Sequence, residues 1–225
     1  MDVDSLVRLR PFVFHLTAAT NAPRIARAHQ LDATSRLFTQ ARRGRDAALR
    51  ARRPAALALA IDDETVRIRD QKPLHERHIA FEKGWDMPRL VGLLNDLVFF
   101  WPGTERGPIK PGQGHFALYE KQGEELVILR VPTAALLAAN EPRTPLVSRC
   151  NSGAPSRFQA PGAPRGGSTF LPLAEAPFAP SNAVELVFEG HARLPDETLI
   201  GPTPQGPWRA LGASERAAGR RRAAR

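Results

Sequence analysis

Apolar positions along the chain come in short runs of two kinds, strand-like strings of consecutive or alternating residues and helical i, i+3, i+4 spacings. Phe12 to Leu16 reads as a strand, followed by Thr20 or Asn21 as N-cap and Pro23 just inside a helix to about Gln30. Asp32 to Arg53 carries Leu37, Phe38, Ala41, Ala48 and Leu49 at helical spacing, predicting two helices broken near Gly44. Ala56 to Ile61 and Thr65 to Arg69 flank Asp62-Asp63-Glu64 as a strand pair, the first half of which fits the continuation of a helix equally well. Helices follow over 74–82 and 87–96, the second with Asp86 as cap and Pro88 in its first turn, and they lead into the buried strand Leu97 to Trp101. Beyond a Gly/Pro loop over 102–114 the pattern gives a short helix to Tyr119, a strand over 126–131, a helix capped by Thr133 to Ala139, a strand over 146–149 and a last strand over 183–188. Strands and helices interleave without the regular cadence of a doubly wound sheet, so the predicted class is α+β. No repeat of 20–50 residues is visible.

Composition narrows the picture. With 225 residues, 42% hydrophobic and 24% charged, the chain has the make-up of a folded domain. The expectation is one domain over 1–210 and a disordered basic tail over 211–225. No apolar run approaches the roughly 20 residues needed to cross a bilayer, and the start has early acids and no apolar core of a secretory signal. A cytosolic protein, away from membranes, is expected. A single cysteine, Cys150, excludes an internal disulfide and a thiolate zinc site. His75 and His78 share a helical spacing, but no third ligand is evident, so no metal is expected. Net charge is +9 and 28 of the 32 basic residues are Arg, concentrated in Arg42 to Arg53 and Arg216 to Arg225. Arg suits phosphate recognition, which points to nucleic acid, although a GC-rich codon bias would produce the same excess.

Several standard sites are excluded by inspection: there is no Gly-x-Gly-x-x-Gly after a strand, no Walker loop, no His-Glu-x-x-His and no Gly-x-Ser-x-Gly. The informative segment is the first strand-turn-helix, His15-Leu-Thr-Ala-Ala-Thr-Asn-Ala-Pro-Arg-Ile25. It resembles the His-x-Thr-x-x-x-Asn opening of DarT-like ADP-ribosyltransferases, departing from it at Ala28-His29-Gln30-Leu31, where that family shows Gly-Leu. More of the chain, from about Phe12 to Ile200, is similar to an uncharacterised bacterial family of domains of unknown function. That likeness rests on Arg67-Ile-Arg-Asp-Gln-Lys-Pro73, Val98 to Trp101, Asn151-Ser-Gly-Ala154, Arg165-Gly-Gly-Ser-Thr-Phe170 and Leu171-Pro-Leu173. Val184-Glu-Leu-Val187 is similar to the glutamate-bearing strand of ADP-ribosyltransferases.

The resemblance implies an ADP-ribosyltransferase-like split β core with flanking helices and NAD as substrate. Glycosidic cleavage of NAD passes through an oxocarbenium-like ribose, for which a carboxylate is needed, and Glu185 is the candidate. Glu189, four residues on, faces the same side by strand alternation and stays the alternative. His15, Thr17 and Asn21 would hold the bent cofactor, Arg67 and Arg69 its pyrophosphate, and Phe100 or Trp101 would stack on nicotinamide. Each residue also has a plainer role: His15 a half-buried strand residue, Asn21 a cap, the arginines a solvated strand face, the aromatics core. The activity implied is ADP-ribosyl transfer, with DNA or RNA as the acceptor the charge suggests. The alternatives are a non-catalytic nucleotide- or nucleic-acid-binding domain on the same fold, and a transferase acting on protein.

Overall fold

A computed structural model describes residues 1–121, 123, 125–154 and 164–213. It is a mixed α/β structure with six α-helices and a mostly antiparallel nine-stranded sheet. The elements run α1 (Val3–Leu9), β1 (Phe12–Ala18), α2 (Ala22–Ala28), β2 (Gln30–Asp32), α3 (Thr34–Gln40), β3 (Leu57–Ile61) and β4 (Glu64–Ile68). They continue with α4 (Met87–Asn95), β5 (Leu97–Thr104), β6 (Gly107–Pro108), α5 (Lys110–Glu120), β7 (Leu126–Pro132), α6 (Thr133–Ala139) and β8 (Leu146–Ser148). The last are β9 (Leu171–Pro172), β10 (Glu185–Glu189), β11 (His191–Arg193), β12 (Leu199–Gly201) and β13 (Arg209–Ala210).

The main sheet has the order β13-β12-β7-β1-β5-β10-β8-β9, with β6 paired to β5. Both faces of its centre are covered, which is why the central strand reads as an unbroken apolar run and not as an alternation. On one face Val13, Phe100, Leu129, Val131, Leu186 and Phe188 pack with Ile25 of α2 and Leu136 of α6. On the other, Phe14, Leu16, Trp101 and Ile128 pack with Phe116 and Tyr119 of α5. The β3–β4 hairpin stands apart as a two-stranded sheet, with Leu59, Ile61, Val66 and Ile68 closing on Phe38 of α3.

One discontinuity organises the molecule. β1 pairs with β7 along its whole length, Phe12 to Ala18, but with β5 only from Phe12–Gly103 to Phe14–Trp101. The other half of β5 pairs with β10, from Leu97–Glu189 to Phe100–Leu186. Beyond Phe14–Trp101 the two central strands therefore part.

Several elements differ from the sequence reading. The second helix expected before Arg53 is a single 3-10 turn, Ala47–Leu49, because α3 ends at Ala41, Arg42 turns left-handed at φ 58° and Asp46 caps the next turn through the Ala48 amide. The helix expected over 74–82 is likewise one turn, Glu76–His78, in a segment tied down by the buried side chains of Leu74 and Ile79. The loop expected to Gly114 is mostly structured, since β5 runs to Thr104 and α5 starts at Lys110. Leu211, placed in the tail, is buried in the core and its amide bonds the Thr198 carbonyl, so the fold extends past 210. The expected tail from 214 onward, with its arginines, lies outside the described residues.

Two glycines test this packing. A Cβ on Gly103 would meet the Gly107 carbonyl at 2.3 Å and the Phe14 ring at 2.7 Å, with backbone on one side and core on the other. Gly103→Ala is expected to destabilise by about 1–3 kcal/mol through overpacking. Gly114, inside α5 with nothing within 4 Å of its added Cβ, is the contrast. Gly114→Ala should stabilise by about 0.5–1 kcal/mol through helix propensity. Urea unfolding midpoints of the two variants should move in opposite directions.

Candidate functional site

Where β1 and β5 part, the gap is spanned by a side chain. Nδ1 of His15 donates to the Phe99 carbonyl at 2.8 Å. A carbonyl can only accept, so the proton sits on Nδ1 and the Nε2 lone pair is left available. Burial pushes the His15 pKa down to about 4, against the opposing bond to Phe99, so the imidazole is neutral near pH 7. Simple alternation along β1 and β5 would set His15 on the face opposite Trp101 and Glu185. The opening of the strands lets all three line one cavity.

That cavity, of about 270 Å³, is walled by β1 and α2 on one side, β5 and β10 on another, and by the end of β4 with the segment that follows it. Of the residues singled out from sequence, it brings together His15, Thr17, Asn21, Arg67, Arg69, Trp101 and Glu185. Phe100 is elsewhere: it is fully buried against Phe188, and alternation makes its neighbours Phe99 and Trp101 the residues by which this part of β5 enters the lining, beside Tyr119 of α5. Glu189 is exposed at the end of β10 and takes no part in the lining, so the cavity selects Glu185.

Asn21 stands at the N-cap position of α2, as the sequence suggested, but its side chain makes no capping bond and is engaged elsewhere. Its Nδ2 donates to Thr17 Oγ1 at 3.0 Å and to the Arg67 carbonyl at 2.8 Å, and its Oδ1 accepts from the Arg67 amide at 2.9 Å. The side-chain amide thus pairs with β4 as a neighbouring strand would, docking the hairpin against the β1–α2 turn and setting Arg67 and Arg69 beside the cavity. Arg69 donates to His115 Nε2 at 3.0 Å and lies over the Tyr119 ring at 4.8 Å. His115 is held between Trp101 and Tyr119, with ring centroids at 4.7 and 5.0 Å, and burial first, then Arg69, drives its pKa well below the ordinary value. Tyr119 in turn donates to Asp70 Oδ1 at 2.8 Å.

Glu185 is almost wholly buried. Its Oε1 accepts from the Ser152 amide at 3.1 Å and the Ser152 hydroxyl at 3.2 Å. Ser152 belongs to a tight turn closed by the Ala154 amide on the Asn151 carbonyl, and that carbonyl also receives the fully buried Arg165 at 3.4 Å. Burial raises the Glu185 pKa to about 7, opposed by the two Ser152 bonds and by the Arg165 charge. Arg53, also at the cavity, is brought down to about 10 by burial and donates to Asn95 Oδ1 at 2.8 Å. Cys150 is buried beside Ser148, and burial pushes its thiol up, away from the thiolate a nucleophile needs.

Ser152, Arg165, His115 and Tyr119 were not singled out as site residues from sequence. The Asn151-Ser-Gly turn and the Arg165-Gly-Gly segment were visible as polar, glycine-bearing strings, but nothing local shows what they fold onto. The segment 151–167, rich in Pro, Gly, Ser and Arg, is described only at its ends, residues 155–163 lying outside the described residues. The basic stretch before Arg53 is partly spent within the fold: Arg43 binds Asp46, Arg52 binds the Lys72 carbonyl at 2.8 Å, and Arg53 is buried. Among the described residues no three His, Cys, Asp or Glu side chains gather as metal ligands, and no helix is long and apolar enough to cross a membrane.

The molecule is thus a mixed α/β protein with a cavity at the opening of its central sheet, its wall largely apolar with a few polar and charged side chains set into it. It belongs to DUF7002, a family of unknown function, whose model matches residues 11–199. No curated protein and no solved structure matches it, and the family match carries no link to DarT-like enzymes.

The raised Glu185 pKa makes stability depend on pH. Between 4.5 and about 7 the folded chain holds a proton that the unfolded chain has lost. The contribution is full below 4.5 and is lost as pH rises through 7. His15 works in the other sense, its contribution being full above 6.5 and lost as pH falls toward 4. Glu185→Gln, which cannot ionise, should be more stable than wild type at pH 8 by up to about 3 kcal/mol. The gain should shrink to under about 1 kcal/mol at pH 5 and vanish below 4.5. Denaturant titrations of both proteins at the two pH values give the difference; equal gains at both would mean that ionisation of Glu185 is not the cause.

Proposed function

We propose that the cavity binds NAD and that the protein is an ADP-ribosyltransferase, with Glu185 as its catalytic carboxylate and a nucleic acid as the acceptor. The observation that carries the reading is that Glu185 and His15, at opposite ends of the sequence, line one cavity together with Arg67 and Arg69. In this reading the Nε2 lone pair of His15 accepts from a ribose hydroxyl, Thr17 adds a hydroxyl beside it, and Arg67 and Arg69 lie toward the pyrophosphate. Asn21 sets the place of those arginines without touching the ligand. The carboxylate of Glu185, in a site shielded from water, stabilises the positive charge that grows on the ribose as nicotinamide leaves. A cationic ligand also favours the ionised form of Glu185, offsetting the burial that raises its pKa.

A non-catalytic nucleotide-binding domain is the second reading, and one observation favours it: a carboxyl with a pKa of about 7 is only partly ionised near neutrality. The two are separated by following nicotinamide release from NAD with single-stranded DNA, RNA and a protein mixture supplied in turn. Wild type should release nicotinamide with a nucleic acid, at a kcat/KM that rises with pH through about 7 as Glu185 ionises. Glu185→Gln should lower turnover on the order of 10²–10³-fold. His15→Ala should weaken NAD binding by roughly 1–3 kcal/mol in calorimetry. No release with any acceptor hands the protein to the binding reading, and release with protein alone changes the acceptor class.

A further inference from the structure

Buried polar atoms without a partner are costly and few in folded proteins, so those facing a cavity say what the cavity is built to receive. Among the described residues, three such atoms belong to side chains that line this cavity: Asp70 Oδ2, Trp101 Nε1 and Glu185 Oε2. Asp70 Oδ2 lies 3.2 Å from the Lys72 ammonium, so its charge is answered. Neither Trp101 Nε1 nor Glu185 Oε2 has a hydrogen-bond partner, although the Arg165 charge acts on Glu185, and the two are complementary, since an indole N–H can only donate and the outer oxygen of the ionised carboxylate accepts.

Their placement is set by the sheet. Leu186 pairs with Phe100 in the β10–β5 ladder, so Glu185 and Trp101 are the next positions outward on the two strands. The ladder itself ends at Leu186–Phe100, and continuing its register one step sets the two side chains on the same side of the sheet. Both members are held by their surroundings: Glu185 Oε1 is taken by the Ser152 amide and hydroxyl, leaving Oε2 as the unmatched oxygen. Trp101 is packed against His115 on α5, and a Cβ on Gly112 would come within 2.9 Å of its ring.

We propose that Trp101 and Glu185 together form a subsite for an amide edge, a C=O accepting from the Trp101 indole N–H beside an N–H donating to Glu185 Oε2. This deepens the NAD reading and rests on it for the identity of the ligand, because two sources carry that chemistry there: the carboxamide of nicotinamide, and the imide edge of a nucleobase in the acceptor. A free carboxylate in place of the amide lacks the N–H and sets a second negative charge against Glu185. Trp101 thereby acts through its ring edge, not as the stacking platform the sequence suggested.

The test is an NMR titration that follows the tryptophan indole resonances of the full chain, the Trp101 signal being assigned by its loss in Trp101→Phe. Nicotinamide, nicotinic acid and uridine are the probes. A downfield shift of the Trp101 indole proton with nicotinamide, and none with nicotinic acid, establishes the subsite and assigns it to the cofactor. The same shift with uridine alone establishes it and assigns it to the acceptor base. The probe that produces the shift should bind at least about tenfold more weakly to Trp101→Phe, which keeps an aromatic ring in the core. Glu185→Gln provides a second variant: the Ser152 amide needs an acceptor, so the Gln oxygen turns toward Ser152 and its NH₂ faces the cavity, where it repels the ligand N–H and should abolish the shift. An unmoved Trp101 resonance with both nicotinamide and uridine overturns the proposal, as does a probe that binds Trp101→Phe as well as wild type. Nicotinamide release from NAD together with an unmoved resonance would retain the transferase and remove the subsite, whereas a moved resonance without turnover would do the reverse.

Discussion

The structure depends on one hydrogen bond at the place where its central sheet comes apart. An antiparallel ladder normally continues until a strand ends, because each unpaired backbone group left behind costs free energy. Here β1 stays paired to β7 but leaves β5 after Phe14–Trp101, and the Phe99 carbonyl in the gap receives the His15 imidazole instead. That substitution opens the middle of a two-sided core to a ligand-sized space. It also fixes the tautomer of the histidine, so the group that closes the gap in the sheet is at the same time a neutral acceptor at the cavity wall.

The cavity's electrostatics follow from the same burial. Two imidazoles, His15 and His115, are held neutral, and the carboxyl of Glu185 is held near the midpoint of its titration at neutral pH. Positive charge is supplied by arginines that the fold has already ordered: Arg53 on Asn95, Arg69 on His115, Arg165 on the Asn151 carbonyl. Ordering these side chains in advance removes rotamer entropy that a ligand would otherwise have to overcome on binding. The carboxylate is nearly uncommitted in charge, with ordered arginines and the carboxylates of Asp32 and Asp70 around it, and in the proposed reading the arginines meet the phosphates of the ligand.

The sequence made some of this legible and hid the rest for identifiable reasons. Strands with strong runs were readable: β1, the β3–β4 hairpin, the start of β5, and β7 fall where the apolar pattern sets them, and Asp86 caps α4 through the Arg89 amide as its position suggests. Short strands whose pairing is wholly non-local, β11 on β2 and β12 on β7, carry no local signal at three residues each. The helices expected around Leu49 and Glu76 had acceptable periodicity but yielded to tertiary contacts, Asn95 taking the Leu49 carbonyl and the core taking Leu74. At the site, residue types at a spacing could propose Glu185 over Glu189, but only the register of β10 on β5 puts the first at the cavity and the second in solvent.

The opening motif changes meaning once its contacts are known. Read as a string, His15, Thr17 and Asn21 look like three ligand-binding groups of equal standing. In the fold they divide: His15 bridges the strands and keeps one nitrogen for the cavity, whereas Asn21 spends both of its amide hydrogens, and a lone pair of its oxygen, on Thr17 and on the backbone of β4. Thr17 sits between them, its oxygen taken as an acceptor by Asn21 and its hydroxyl proton still to give. The spacing is therefore that of a frame as much as of a site, since seven residues must pass from the strand, through a turn, to the first turn of α2 for the Asn21 amide to reach β4. A hairpin with no ladder of its own to the main sheet is docked by that side chain together with the packing of its apolar face on Phe38 and the bonds of Arg24 and Arg27 to Glu64, and the arginines on it acquire their places with it. This is why a motif so short can carry both a fold and a binding surface, and why its loss at Asn21 would act on the arginines before it acted on any ligand.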